Sequence, residues 1–405
     1  MDGMTTWSIR ELPLFASIDD PGAWLLQGFV HVSNATLLDS WGNHDLDRTA
    51  QEILGSLHDQ RYVRKVRLVA VQDGGHGAGS AHGVHGAQGG DRADGGASAD
   101  SGHRGASGGS ADGDPAQVVG YAAVNLPLED NTHTARVEIG VHPDSRRQGI
   151  GSALHEAAIR IAAGAGRTTI QASTDQRAEP PAGPDTLAPS TGEGRVLATD
   201  DATRFATKHG YELGQVARYS VVDLPVDRDR VEDLRRDAAE HAGPDYRLVS
   251  WADHCPDEWL DGYAYLASRM STDSPLGDLE LDEEVWDGDR IRSTERQLQE
   301  RGLGILVMAA EQVSTHTLVA FTELITVPHV REYVHQNDTL VVKEHRGHRL
   351  GMLVKAANLQ RLAAERPAVR RVGTWNAEEN AYMLAINVTL GFRPAGGSGE
   401  WQLKL

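Results

Sequence analysis

Two short stretches carry the residue types that hold a phosphate. Arg146-Arg147-Gln148-Gly149-Ile150-Gly151 and Arg346-Gly347-His348-Arg349-Leu350-Gly351 each put arginine and glycine between an apolar strand pattern and a helical one. A tight turn at such a junction leaves the first helical N–H groups unpaired and pointing outward. With the helix dipole they form an anion site. Glycine at 149 and 151 lets a phosphate approach the backbone closely, and Arg146 and Arg147 add positive charge. In the second stretch Arg349 replaces the first glycine. Either its side chain faces the phosphate in place of a backbone amide, or the site has decayed.

Other chemistries fit worse. The nucleotide motif G-x-x-x-x-G-K-[ST] is absent, and G-x-G-x-x-G fails because Leu154 stands at the third glycine. Gly105 to Gly109 matches G-x-S-x-G in form, but that elbow needs a strand before it and a helix after it, and its neighbours offer neither. His76, His82, His85 and His103 lie in the same Gly/Ala/Ser/Asp-rich run, where nothing orients them toward a metal. Cys255 is the one cysteine, so internal disulfides and multi-cysteine zinc sites are excluded. No metal site is expected.

The elements that must hold the two turns can be read from periodicity. Val137, Ile139 and Val141 alternate as in a half-buried strand. Ile150, Leu154, Ala157, Ala158 and Ile161 follow helical spacing, as do Leu350, Leu353, Val354 and Ala357. Strands are predicted at 63–72, 117–127, 304–312 and 317–327. The run 73–117 cannot bury enough apolar surface to fold and reads as a disordered insertion in a hairpin. Residues 177–194 read as a surface loop. "WSIREL" at Trp7 and "YRLVSW" at Tyr246 open two similar series of elements, which close on Gly210-Tyr211 and Gly391-Phe392. The chain therefore divides into an N-terminal domain (1–225), a linker helix (226–245) and a C-terminal domain (246–405). The fold class is α/β, with a mixed sheet in each of two tandem copies. A net charge of −19 argues against nucleic acid and anionic membranes as partners. Without a visible secretory signal or membrane-spanning run, a cytoplasmic location is expected. The arginine- and alanine-rich composition suggests a bacterial source.

Here a resemblance becomes specific. Arg146-Arg147-Gln148-Gly149-Ile150-Gly151 resembles the Q/R-x-x-G-x-G/A signature of the GCN5-related N-acetyltransferases, and Val141 and Leu154 fit the flanking pattern. "NAYMLAINVTLGF", from Asn380 to Phe392, is similar to that family's later motif, which runs roughly N-x-x-A-x-x-x-Y-x-x-x-G-F. The resemblance implies acetyl-CoA as co-substrate, with its pyrophosphate on the amides of residues 146–151 and 346–351. The pantetheine arm would run along the strands ending at Val141 and Val341, with Asn380 also at the cofactor. It further implies a strand-bulge amide that polarises the thioester carbonyl, and a small-molecule primary amine as acceptor.

The sequence departs from the family at one chemical position. A tyrosine that protonates the leaving thiolate is replaced by Ala206 in the first copy and Asn387 in the second. Water can supply that proton, since a thiolate is a tolerable leaving group near neutral pH. Counting back eight residues from Arg146 and Arg346 gives Glu138 and Asp338, the candidate bases, with Glu323 and His335 as alternatives in the second copy. The denser family-like sequence places chemistry in the second copy. Two other readings stand beside this one: a tandem enzyme of the mycothiol synthase kind, and a non-catalytic CoA-binding scaffold of two degenerate copies. The oligomeric state is not legible.

Overall fold

The computed structural model describes residues 7–72 and 116–405. The elbow-like Gly105–Gly109, the four histidines and nearly all of the predicted disordered insertion lie outside those residues.

The first copy runs β1 (Trp7–Glu11), α1 (Trp24–Trp41), α2 (Ala50–His58), β2 (Val63–Gln72), β3 (Gln117–Pro127), β4 (Thr134–Val141), α3 (Ile150–Gly164) and β5 (Thr169–Gln176). A two-stranded ribbon follows, β6 (Thr186–Leu187) with β7 (Val196–Leu197), so the stretch read as loop contains one short strand. Then come α4 (Asp201–Lys208) and β8 (Glu212–Asp223). After α5 (Arg228–Ala242) the series repeats as β9 (Tyr246–Ala252), α6 (Asp257–Asp273), α7 (Gly288–Glu300), β10 (Gly304–Gln312), β11 (Thr317–Thr326) and β12 (Tyr333–Val341). It ends with α8 (Leu350–Glu365), β13 (Arg371–Ala377), α9 (Ala381–Leu390) and β14 (Arg393–Lys404).

The near-continuous apolar runs of β2 and β3 mark strands covered on both faces. Val118, Tyr121 and Ala123 pack with Leu26 and Phe29 of α1, whereas Val119, Ala122 and Val124 pack with Leu154 and Ala158 of α3. The contact with α1 is close: a Cβ on Gly28 would sit 2.5 Å from Val118 Cγ2.

One sheet of twelve strands spans both copies, in the order β1-β2-β3-β4-β5-β14-β8-β13-β12-β11-β10-β9. The order has a pseudo-twofold centre between β14 and β8. It also reveals an exchange. β14, from the end of the second series, fills the place between β5 and β8, and β8 in turn lies between β14 and β13. Each copy thus completes its sheet with the other's last strand. Loops cross over in the same reciprocal way. Asp45, after α1, makes a two-point ion pair with Arg371 at the start of β13 (2.8 and 2.5 Å). Glu280, after α6, pairs with Lys404 and accepts from Thr169 of β5. At the centre the Tyr219 hydroxyl donates to the Tyr333 hydroxyl at 3.0 Å, in space that Gly373 leaves open and a Cβ there would fill.

Candidate active site

The two turns are built alike. Each follows a one-turn 3-10 helix, Pro143–Ser145 or Lys343–His345, and opens α3 or α8 without a side-chain cap. Each has two left-handed residues: Arg147 (φ 64°) and Gly149 (φ 81°) in one, Gly347 (φ 87°) and Arg349 (φ 55°) in the other. The backbone path is thus the same and only the positions of glycine and arginine are interchanged. A Cβ at Gly149 or Gly347 would meet nothing within 4 Å, so both turns have open room over their amides. Arg146 and Arg346 each donate from Nε to the last carbonyl of the preceding strand, Val141 (3.3 Å) and Val341 (3.1 Å). Arg147 pairs with Asp201 and Arg349 with Asp237, and both guanidiniums remain at the exposed surface, as do Gln148 and His348. Ile150 and Leu350 are buried beneath the turns, with Gly151 and Gly351 behind them. The structure therefore brings these residues together in two matching turns. Asn380 caps α9, its Oδ1 accepting from Met383 N at 3.2 Å.

A non-glycine residue in the left-handed region costs about 1–2 kcal/mol. Arg349→Gly is therefore expected to stabilise the protein by about 1 kcal/mol, read as a higher urea midpoint at unchanged slope. No gain would mean that the Asp237 pair already compensates the strain.

Each turn stands at the mouth of a parted strand pair. β4 pairs with β5 only from Thr134 to Arg136, and β12 with β13 only from Tyr333 to Gln336. Beyond those points, among the described residues, the edge of β4 turned away from β3 and the edge of β12 turned away from β11 carry no ladder partner, which leaves backbone groups between 138 and 140 and between 338 and 340 available to an extended ligand. Such an edge fits the amide-bearing arm of coenzyme A, and the turns fit its pyrophosphate.

The two copies then differ. The pairing of β3 with β4 is regular, but between β11 and β12 the register shifts: Thr322 opposes Thr339 while Leu324 opposes Gln336. Asn337 and Asp338 together oppose Glu323, which makes a β-bulge. Glu323 is buried and accepts from the Tyr263 hydroxyl and from Asn337 Nδ2 (2.7 Å). Burial, then the charge of Asp338, pushes the Glu323 carboxyl well above the usual range. Burial, then Glu284, pushes Asp338 up as well. The pair is poised to hold a proton near neutral pH.

In the first copy Glu138 is engaged instead. Arg48 Nη1 donates to its Oε1 at 3.0 Å and the Tyr121 hydroxyl donates to the same atom at 2.7 Å. Burial works to raise the Glu138 carboxyl, but Arg48, Tyr121 and Arg67 outweigh it and the net shift is downward. A carboxylate so stabilised is a poor base. His335 is pushed down to about 4 by burial, against Asp45, so it is neutral, and it stacks on Trp375. At the family's tyrosine positions, Ala206 and Asn387 are both buried.

A cleft of 2110 Å³ joins these parts. Its walls include the first turn, Glu138, Trp41, Trp375, Asn376, Glu323 and Asp338, so the first copy's arginine–glycine turn and the second copy's carboxylates open into the same space. Among the described residues, no group of three or more His, Cys, Asp or Glu could hold a metal, and no helix is long and apolar enough to cross a membrane.

The geometry has known counterparts. The Acetyltransferase (GNAT) family matches residues 94–182, which contain the first turn. No curated protein matches the chain in sequence. A tandem GNAT protein from the clavulanic acid biosynthesis pathway superposes with a TM-score of 0.66 at 23% identity, over 98% of both chains. A GCN5-related N-acetyltransferase from Sphaerobacter thermophilus gives 0.52 at 13% identity, over 98% of this chain and 95% of that one. A GCN5-related glucosamine N-acetyltransferase region of a fungal multi-domain β-N-acetylglucosaminidase gives 0.55 at 14%, over 98% of this chain and 38% of that one. At these identities the likeness is one of fold: two tandem GNAT-like copies.

Proposed function

We propose that the chain is a tandem acyltransferase of the GCN5-related N-acetyltransferase kind, and that its second copy transfers an acetyl group from acetyl-CoA to a primary amine of a small molecule; the match of residues 94–182 to the Acetyltransferase (GNAT) family and the shared tandem fold support this reading. The observation that carries this is the Asn337–Asp338 bulge, with its raised carboxylate pair, beside parted strands and a phosphate turn. On this reading residues 1–225 and 246–405 are the two copies and 226–245 the connecting helix.

Each group then has a task. The open amides of 346–351 and the side chains of Arg346 and Arg349 hold the pyrophosphate. The strand edge ending at Val341 holds the arm. Bulge amides donate to the thioester oxygen as charge builds on it. Asp338 takes the proton of the attacking amine, and Glu323 tunes its basicity. The first copy, with Glu138 held by Arg48, binds acetyl-CoA at Val141 and 146–151 without turning it over.

Calorimetric titration with acetyl-CoA, together with thiol release across a panel of amines, tests the proposal. Two saturable sites and acceptor-dependent thiol release are expected. A Cβ on Gly151 lies 3.4 Å from Phe205 Cε2 and 3.6 Å from Val141 Cγ2, so an indole there would crowd the groove. Gly151→Trp should remove one site and spare turnover. No binding at millimolar acetyl-CoA would sink the reading, and loss of turnover in Gly151→Trp would move the chemistry to the first copy.

A further inference from the structure

The residue that replaces the family's tyrosine in the second copy is not idle. Asn387 is buried on α9, and its Nδ2 donates to Asn376 Oδ1 at 2.7 Å. Asn387 Oδ1 has no partner among the described residues. Turning both amides over would exchange that orphan acceptor for a buried NH2 with two orphan donors, which is the costlier state. The pair is therefore held with the oxygen of Asn376 toward Asn387 and its NH2 toward the cleft. Asn376 lies on β13 two residues beyond the last pair with β12, and it shares the cleft wall with Asp338.

We infer that Asn376 donates an N–H to the sulfur of the acyl donor in the second groove, and that Asn387 is the positioning residue that fixes its orientation. This rests on the proposed acetyl transfer. As the amine nitrogen bonds to the carbonyl carbon, the C–S bond breaks and its electron pair goes to sulfur. The amine proton goes to Asp338. The leaving thiolate is stabilised by the Asn376 N–H without receiving a proton from it, so a fixed donor does the work for which the family uses an acid.

The test needs no acceptor. The thiol of coenzyme A itself, bound to the whole protein, is titrated by the ultraviolet absorbance of its thiolate. It should ionise at lower pH than the free thiol. Asn376→Ala should raise the bound thiol's pKa by about one unit, tenfold in its ionisation constant. Asn387→Asp keeps the shape of Asn387 but presents only oxygens. It should capture the Asn376 NH2, turn its carbonyl to the cleft and raise the thiol pKa at least as far. A purely structural Asn387 predicts no such shift in a folded variant. An unchanged thiol titration in variants that fold and bind coenzyme A overturns the inference and leaves acetyl transfer standing. Failure of the parent protein to bind coenzyme A overturns both.

Discussion

Asp338→Asn should lower kcat by about 10²–10⁴-fold, the usual loss of a general base, while acetyl-CoA affinity stays unchanged. The carboxylate lies on the second copy's bulge, opposite Glu323, and belongs to β12, not to the turn at 346–351. Its proton affinity is raised, first by burial and then by Glu284. Only the ionised form accepts a proton, so kcat/KM should climb as pH rises through that raised range and level off above it. Glu284→Gln removes one source of repulsion and should move the rise to lower pH. The same shift has a stability sign. Between the ordinary carboxylate range and the raised value the folded state binds more protons than the unfolded state, so stability falls as pH rises through that window. Asp338→Asn escapes this loss and should be at least as stable as the parent at about pH 8. Reduced turnover there could not be assigned to unfolding, and unchanged turnover would remove Asp338 from the mechanism.

Separating the copies is expected to abolish folding of each. A fragment of residues 1–225 leaves β5 and β8 without the strand that lies between them, and a fragment of residues 246–405 leaves β13 without β8. Val216 of β8 and Trp401 of β14 are each 1% exposed in the intact protein and would lose part of their cover. Mixing the two fragments should restore the sheet, seen as recovery of cooperative unfolding and of acetyl-CoA binding. A monomeric fragment that unfolds cooperatively by itself would overturn this.

The two turns were legible in the sequence because glycine and arginine at a strand–helix junction report local backbone and charge. The repeated element order was legible for a similar reason, since periodicity is a local property. Strand exchange was not, because β8 and β14 follow equivalent helices and nothing local in "ELGQVARYSVVD" or "RPAGGSGEWQLK" says which β5-like strand each will join. The grip on Glu138 was also hidden, since Arg48 lies 90 residues away in sequence and on a different element. The bulge left a faint trace. Arg146 and Arg346 are offset by 200, whereas the strand starts paired at Thr134–Thr169 and Tyr333–Arg371 put Thr134 and Tyr333 199 apart (333 − 134). One extra residue therefore lies between them in the second copy. Asn376 gave no signal, because its meaning depends on Asn387 from another element.

The exchanged strands also bear on how such a chain can change over generations. In an ordinary duplicate, a copy that loses its chemistry is free to decay and be deleted. Here neither copy can be lost, because each carries a strand of the other's sheet. Selection on folding alone would retain the first copy's β8 after its catalytic strand had ceased to work. A groove freed from chemistry in that way would be raw material for a new ligand, while the strand it stands on would still be needed by its neighbour's sheet.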